Sequence, residues 1–269
     1  MAGTSPIHKL SVRPAIRRMM IYSEPGAGKT CVACSAPRTL LLNADGPDGP
    51  ESARMMGYDP SVWDIENFRD LDRAYNLIRK YPDRYDWVWL DSISIFQESG
   101  MDDVMEAMLA KAKHRNPYVP DRPEYQETQR HLGLWIRHMS KLPVNFGITA
   151  HEMRLVDPDD DRVTYLPDIQ GGQGRFANKV CGYMGVVGHL EVKMRKEEGK
   201  SEELRVLRVR REGKYYAKDR YHALGKGVVN PTIPKIVSLI EQAKPVAGRP
   251  ARRRKPSVKS QVRRQRQRP

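Results

Sequence analysis

The sequence has few of the features that mark secreted, membrane-spanning or disulfide-bonded proteins. Three cysteines in 269 residues are an odd, sparse set that gives no disulfide framework. There is no run of 18 apolar residues, and the first 14 residues lack the apolar centre of a secretory signal. We therefore expect a cytoplasmic protein with no membrane partner.

Two of the cysteines, Cys31 and Cys34, have the CxxC spacing of some metal and redox sites. A zinc site would need a second CxxC or a His pair, and the sequence supplies neither at a suitable spacing. Free cysteine is among the most buried residue types. We interpret both as small buried residues.

Acidic and aromatic residues are absent from positions 244–269, which hold eleven of the 47 Lys and Arg residues and four prolines. The rest of the chain has 36 basic and 33 acidic residues, so most of the net charge of +14 lies in this segment. Such a composition cannot bury enough apolar surface to offset its ordering entropy, which predicts a disordered tail. Either it keeps the protein soluble or it is an arm for nucleic acid or another polyanion, and the excess of arginine favours the arm. The predicted organisation is an N-terminal arm (1–13), one domain (14–243) and the basic tail (244–269).

Within the domain, apolar strands alternate with amphipathic helices, the pattern of an α/β fold with a mostly parallel sheet flanked by helices. A pair of β-strands near the C-terminal end, 183–192 with 204–210, precedes the last helix. The predicted strands are 17–22, 39–42, 87–90 and 144–149, and the predicted helices are 29–35, 68–80, 95–113, 124–141 and 233–243.

A phosphate-binding loop is predicted between the first strand and the first helix. The stretch "SEPGAGKT" fits the pattern GxxxxGK[ST] at every defined position but the first, where Ser23 replaces glycine. Gly26 and Gly28 let the backbone turn its N–H groups toward phosphates, and Lys29 neutralises the β and γ oxygens. We expect this segment to bind ATP and Mg²⁺. The predicted nucleotide-binding residues are Ser23, Glu24, Pro25, Gly26, Ala27, Gly28, Lys29, Thr30 and Cys31.

A magnesium site is expected beside this loop. The hydroxyl of Thr30 is one predicted ligand, and "WVWLDS" places the carboxylate of Asp91 at the end of an apolar strand. An apolar strand that ends in Asp is common alone, but it becomes informative when a phosphate loop precedes it.

Two further polar groups are candidates for catalysis because they also follow strands. Asp45 in "LLLNAD" is placed at the carboxyl edge of the sheet, where it could orient and deprotonate water. Glu51 is an alternative base, and a loop or cap role for Asp45 also stays open. His151, after "FGITA", is a candidate sensor of the γ-phosphate.

Together these motifs resemble the RecA-like ATPase core, and more closely the phage RecA-like recombinases and single-strand annealing proteins. The resemblance spans about residues 13–243. It rests on "SEPGAGKT", "LNAD", "WVWLDSIS", "TAHE", "VVGHLEV" and "KDRYHALGKGVVNPTI". It implies a DNA-dependent ATPase in the host cytoplasm, a ring or filament of identical subunits, and single-stranded DNA as partner. A single-strand-binding protein is a second partner that the resemblance leaves open.

The resemblance also implies roles for two later segments. Residues 152–179 would form a mobile loop that contacts single-stranded DNA, with cations and an aromatic ring suited to phosphates and bases. An ordinary surface loop is the alternative. Arg220 would be an arginine finger in a neighbouring subunit's site, or else a surface salt bridge. The expected DNA-binding residues are Arg175, Phe176, Asn178 and Lys179.

The sequence departs from the family pattern at two positions. Ser23 stands for the first glycine of the loop, and Asp45 stands where recombinases have the longer glutamate, so slow hydrolysis is expected.

Two other functions stay open. One is a small-molecule phosphotransferase of the nucleotide-kinase kind, and the other is a DNA-binding adaptor that does not hydrolyse ATP.

Overall fold

The computed structural model describes residues 15–111, 116–157, 159–197 and 200–243. The predicted N-terminal arm and the basic tail lie outside these residues. The strands are β1 Arg18–Ser23, β2 Thr39–Asn43, β3 Ser61–Asp64, β4 Trp87–Asp91, β5 Asn145–Val156, β6 Val163–Pro167, β7 Val186–Glu197, β8 Lys200–Arg208, β9 Lys218–Asp219 and β10 Gly227–Val229. The helices are α1 Lys29–Cys34, α2 Glu51–Met55, α3 Phe68–Lys80, α4 Ile93–Leu109, α5 Arg122–Met139, α6 Arg175–Tyr183 and α7 Ile233–Gln242.

The strands form one sheet in the order β10-β8-β7-β1-β5-β4-β2-β3, with β6 paired to β5 and β9 to β7. Neighbours from β7 to β3 run parallel, whereas β8 and β10 are antiparallel to the strands beside them. Strand β5 lies between β1 and β4. The phosphate loop after β1, Asp91 at the end of β4 and His151 within β5 therefore lie at one edge of the sheet.

Helices cover both faces of this sheet. Alternate residues of β1 point into two separate cores, Met20 and Tyr22 into one and Met19 and Ile21 into the other. The first core also contains side chains of α3, α4, α5 and α6, and the second contains side chains of α1, α2 and α7. This architecture confirms the predicted RecA-like P-loop fold with a mostly parallel sheet flanked by helices.

Several elements were not predicted. The predicted strands and helices are present with ends shifted by a few residues, and the β pair is longer than expected because β7 and β8 pair from His189 to Glu197. Strands β3, β6, β9 and β10 and helices α2 and α6 were missed. Within the described residues, no helix has the length and apolar character needed to cross a membrane.

The centre of the sheet depends on a close contact between Gly147 of β5 and the indole ring of Trp89 of β4. The two residues are paired across the strands, and a Cβ at position 147 would overlap the ring of Trp89. We expect Gly147→Ala to lower the free energy of unfolding by about 1–3 kcal/mol, because the fully buried ring cannot move away without strain.

Denaturant unfolding measures this effect, and Gly182→Ala in α6 is the control. A Cβ at position 182 would meet no atom within 4 Å, so the control should change stability by less than about 1 kcal/mol. Equal stability of the wild type and the Gly147 variant would show that the two strands can separate without cost.

Candidate active site

The phosphate loop connects β1 to α1. Gly26 and Gly28 have φ values of 79° and 97°, in the region that L side chains rarely adopt. Ser23, in contrast, is the last residue of β1, is buried, and donates a hydrogen bond from Oγ to the Glu24 carbonyl at 3.0 Å. Because Ser23 has strand conformation, a side chain fits at this position, and the loop keeps its glycines where the backbone requires them.

The Lys29 side chain folds back across the loop. Its Nζ donates to the carbonyl oxygens of Ser23 at 3.2 Å and Glu24 at 3.0 Å. Burial lowers the pKa of the amine, while the carboxylates of Asp91 and Asp45 oppose this shift. Lys29 is buried, with only 8% of its surface exposed. Its amine lies inside the loop, where the backbone carbonyls hold it in place for a phosphate.

Asp91 lies at the end of β4, next to Thr30. Thr30 Oγ1 donates to Asp91 Oδ2 at 2.7 Å, and Thr149 Oγ1 donates to the other carboxylate oxygen. Burial raises the pKa of Asp91 to about 6, although the two hydroxyl donors lower it. A buried carboxylate beside a hydroxyl and a phosphate loop suits Mg²⁺, which usually takes one or two protein oxygens and completes its shell with phosphates and water. The donor set thus fits the predicted ion.

Asp45 is held beside Asp91 by the residue that follows Asp91 in the chain. Asp45 Oδ1 accepts hydrogen bonds from Ser92 N at 2.9 Å and Ser92 Oγ at 2.8 Å. The turn that carries Asp45 is ordered by Asn43, whose Nδ2 donates to the Gly46 carbonyl at 2.7 Å. The carboxylate is therefore fixed through one oxygen, and Oδ2 has no hydrogen-bond partner among the described residues.

Glu51, the alternative base, is placed differently. It opens α2, is exposed, and pairs with Arg54 at 2.7 Å, which lowers the pKa of its carboxyl. Its neighbour Ser52 lines the cavity that also contains Lys29 and Asp45, but Glu51 is absent from the lining of this cavity. The geometry favours Asp45 for the role of base.

His151 lies directly across from the start of the phosphate loop, since it is the register partner of Ser23 in the β1–β5 pair. Its backbone N–H donates to Ser94 Oγ at 2.9 Å, and its carbonyl accepts from Asp168 N at 2.8 Å. It lines the same cavity as Lys29 and Asp45. The structure therefore brings together the four residues proposed for catalysis, Lys29, Asp45, Asp91 and His151.

The cavity at this edge of the sheet has a volume of about 450 Å³. In the described part of the chain, no group of three His, Cys, Asp or Glu residues could hold a metal by protein ligands alone. The residues that line the cavity are Pro25, Gly26, Gly28, Lys29, Thr30, Cys31, Asp45, Gly49, Ser52, Met55, Met56, His151 and Arg205.

Arg205 is a lining residue that the sequence did not indicate. It projects from β8, and its Nε donates to the Ala27 carbonyl at 3.1 Å while Nη2 contacts Glu203 Oε1 at 2.8 Å. Arg205 and Ala27 are 178 positions apart in the chain. Only the folded sheet brings them together, so no local pattern could have revealed the contact.

A pair of polar residues, His189 and Glu152, lies near the phosphate loop. His189 Nε2 and Glu152 Oε2 are 2.7 Å apart, and the imidazole stacks on Tyr215 with ring centroids 4.0 Å apart. Burial lowers the pKa of His189, against the effect of the Glu152 carboxylate. Both residues line a cavity together with the loop segment from Glu24 to Ala27.

The predicted DNA-binding loop is largely regular structure. Residues 152–156 continue β5, 163–167 form β6, and Arg175, Asn178 and Lys179 lie on helix α6. Phe176 is 6% exposed and packs into the core against Gly133. The expected loop over 152–179 is therefore regular structure where β5, β6 and α6 lie, and the apolar residues of α6 pack as one face of a helix against α5. Phe176 therefore has no free face on which a base could stack.

Arg220 lies near the other edge of the sheet. Its Nη2 donates to the Gly182 carbonyl at 3.0 Å, and its backbone N–H donates to the carbonyl of Gly185, which precedes β7. The side chain is exposed and does not reach the nucleotide cavity of its own chain. Action on a neighbouring subunit stays a prediction.

A phosphate loop with its lysine, a buried strand-end aspartate and a parallel sheet define an ATP-binding P-loop ATPase. Residues 15–221 match the AAA_24 family, described as an AAA domain. This match covers more than half of the chain, which therefore belongs to that family. No curated protein sequence matches the chain.

Two solved structures are similar to the chain at low identity. One is an ATPase domain that is 14% identical, with 80% of this chain and 79% of that chain covered and a TM-score of 0.40. The other is a KaiC-like protein, PH0186 from the hyperthermophilic archaeon Pyrococcus horikoshii OT3, which is 11% identical, with 75% and 83% covered and a TM-score of 0.40.

Proposed function

We propose that this ATPase is stimulated by single-stranded DNA and acts as a phage-type recombinase or annealing protein. The observation that carries the proposal is the course of β5. This strand runs from His151, beside the phosphate loop, straight into the hairpin that it forms with β6. A change at the γ-phosphate can therefore move the hairpin and the segment that leads to α6.

Hydrolysis would use Lys29, Thr30, Asp45 and Asp91. Lys29 would bind the β and γ oxygens, and Thr30 and Asp91 would hold Mg²⁺. When bound, this ion would neutralise charge that develops on the phosphates. Asp45, fixed by Ser92, orients a water molecule and accepts its proton.

Side chains of α4 connect this cavity to the segment before α6. Ser94 Oγ donates to the Asp168 carbonyl at 2.7 Å and accepts from His151 N. One turn later, the amide of Gln97 makes two hydrogen bonds with the backbone of Gln170, at 2.9 and 2.8 Å. The nucleotide cavity and the segment before α6 are thus linked through one helix, which is the physical basis for coupling between nucleotide and DNA.

The DNA surface that we propose is a groove between α5 and α6. It has a volume of about 450 Å³, Phe176 lies in its wall, and its cations are Arg130, Arg137 and Lys179. All three cations are exposed, and the lining includes Gln126 and Gln129 but no carboxylate among the described residues. Such a groove suits a phosphate backbone better than it suits unstacked bases.

The basic tail would add sequence-independent contacts, and identical subunits would assemble along the strand as a ring or filament. A single-strand-binding protein is a further proposed partner. Arg220, which is exposed, would then face the nucleotide of a neighbouring subunit.

One observation separates this proposal from the phosphotransferase alternative. A nucleotide kinase needs several arginines over its phosphate acceptor, but Arg205 is the one arginine among the described residues that line the cavity. A non-hydrolysing adaptor would not need Asp45 fixed beside Asp91. ATPase rates measured with single-stranded DNA, duplex DNA and small phosphate acceptors test the proposal directly, and no stimulation by single-stranded DNA would refute it.

A charge-removal series separates the groove from the tail. We expect Arg130→Ala, Arg137→Ala and Lys179→Ala together to flatten the log–log salt dependence of single-strand binding by about 2, since each phosphate contact contributes about 0.7. DNA stimulation of the ATPase should fall as well. Deletion of 245–269 removes ten positive charges and should flatten the slope by several units while the ATPase rate without DNA stays unchanged.

The matched control is a triple variant of exposed cations at the end of α3 and just beyond it, Arg79→Ala, Lys80→Ala and Arg84→Ala. It removes the same charge from another surface and should leave stimulation intact. If both triple variants lower binding equally, net charge and not the groove determines affinity.

A further inference from the structure

Two chemically different sets of residues line the nucleotide cavity. Lys29, Thr30, Asp45 and His151 supply charged and polar groups for the phosphates. The lining also includes the small residues Gly49 and Ser52 and the side chains of Met55, Met56 and Arg205. No catalytic role accounts for this second set.

Arg205 lies outside the phosphate cradle. Its Nε binds the carbonyl oxygen of Ala27, and the N–H of Gly28 in the same trans peptide points the opposite way. Because loop N–H groups face the phosphates, the guanidinium is on the other side of this peptide. A Cβ at position 28 would lie 2.9 Å from Arg205 Nε. The arginine therefore flanks the loop and does not enter it.

Met55 and Met56 are unusually exposed for large apolar side chains, at 76% and 64%. They lie at the end of the short helix α2, which packs beside α1. Thioethers are flexible and polarisable and make favourable contacts with aromatic rings. An arginine guanidinium also stacks well on a flat π system.

We propose that Met55, Met56 and Arg205 form the base-binding subsite, with the nucleotide base between the two thioethers and the guanidinium. Neither thioether carries a hydrogen-bond donor, and the Arg205 guanidinium already binds the Ala27 carbonyl and Glu203. The subsite therefore holds the base mainly by stacking. Adenine and guanine should be accepted almost equally, and smaller pyrimidines less well.

This inference rests on the ATPase site and is independent of the proposed DNA function. The test compares Met55→Ala/Met56→Ala, Arg205→Ala and the control Met194→Ala, which removes a methionine of β7 that is 62% exposed. Affinities are measured by calorimetry for Mg²⁺ complexes of ATP, GTP, CTP and inorganic tripolyphosphate. Tripolyphosphate has the phosphates without a base.

We expect each subsite variant to weaken ATP and GTP binding by about tenfold and to leave tripolyphosphate binding within about twofold. Met194→Ala should match the wild type for every ligand. For the wild type, kcat/KM for ATP and GTP should differ by less than about tenfold, because a site that reads a base edge by buried hydrogen bonds discriminates far more strongly.

Three results would overturn the inference: equal loss of tripolyphosphate and ATP binding, no loss of either, or strong discrimination between ATP and GTP. Lys29→Ala separates this failure from failure of the ATPase assignment, because it should weaken tripolyphosphate and ATP alike. The unliganded thermal midpoint of each variant shows whether the fold persists, and it should be unchanged for the double methionine variant because both side chains are exposed.

Discussion

Lys29→Ala should reduce ATP hydrolysis by about 10³-fold, to the level of the background. The amine is the cation at the centre of the phosphate loop, fixed by the carbonyl oxygens of Ser23 and Glu24. Because these contacts place it before the nucleotide binds, its charge stabilises the transferring phosphoryl group without reorganisation. A steady-state phosphate-release assay measures the loss.

The fold should survive this substitution. Burial lowers the pKa of Lys29, so folding disfavours its charged form, and removal of the amine does not cost the native state a favourable charge. Lys226→Ala is the control, since that side chain is 78% exposed and absent from the cavity lining. Near-wild-type hydrolysis by Lys29→Ala would refute the site assignment.

The phosphate loop and the strand-end residues were predictable because their signals are local. "SEPGAGKT" sets the conformation of its own backbone, and the apolar stretches of β2, β4 and β5 lead directly to Asp45, Asp91 and His151. The parallel alternation of strands and helices then places Asp45, Asp91 and His151 at one edge. These are short-range patterns combined with one topological rule.

Arg205 could not be predicted, because it reaches Ala27 from a strand that pairs on the far side of β7. The exposed thioethers of Met55 and Met56 were missed for a similar reason. Helix α2 has five residues, too few to show a helical period. Met55 and Met56 become significant only because they line the same cavity as the phosphate loop.

Helix α6 was missed although its sequence contains a signal. Phe176, Ala177, Val180 and Cys181 are buried and have the spacing of one helical face. The resemblance to the RecA-like recombinases predicted a loop here, and three glycines stand just before these residues. In the structure, Gly171, Gly172 and Gly174 have positive φ and form the turn that leads into the helix, so the glycines mark its beginning.

Asp45→Asn should slow turnover by about 10²-fold or more while Mg-ATP affinity changes little. The Asn side chain keeps an oxygen that can accept from Ser92 N and Oγ, as Asp45 Oδ1 does. The position of the side chain is therefore preserved, and what is lost is the second carboxylate oxygen and its basicity. Removal of a general base typically costs this much. Single-turnover hydrolysis with saturating Mg-ATP isolates the chemical step.

Two companion variants decide which carboxylate does what. Asp91→Asn should weaken Mg-ATP binding itself, because Asp91 bonds to Thr30 Oγ1 and is placed to hold the ion. Glu51→Gln should leave both affinity and turnover unchanged, since Glu51 is exposed and paired with Arg54. If Glu51→Gln slows turnover and Asp45→Asn does not, Glu51 is the base, and α2 must then move toward the phosphates when the nucleotide binds.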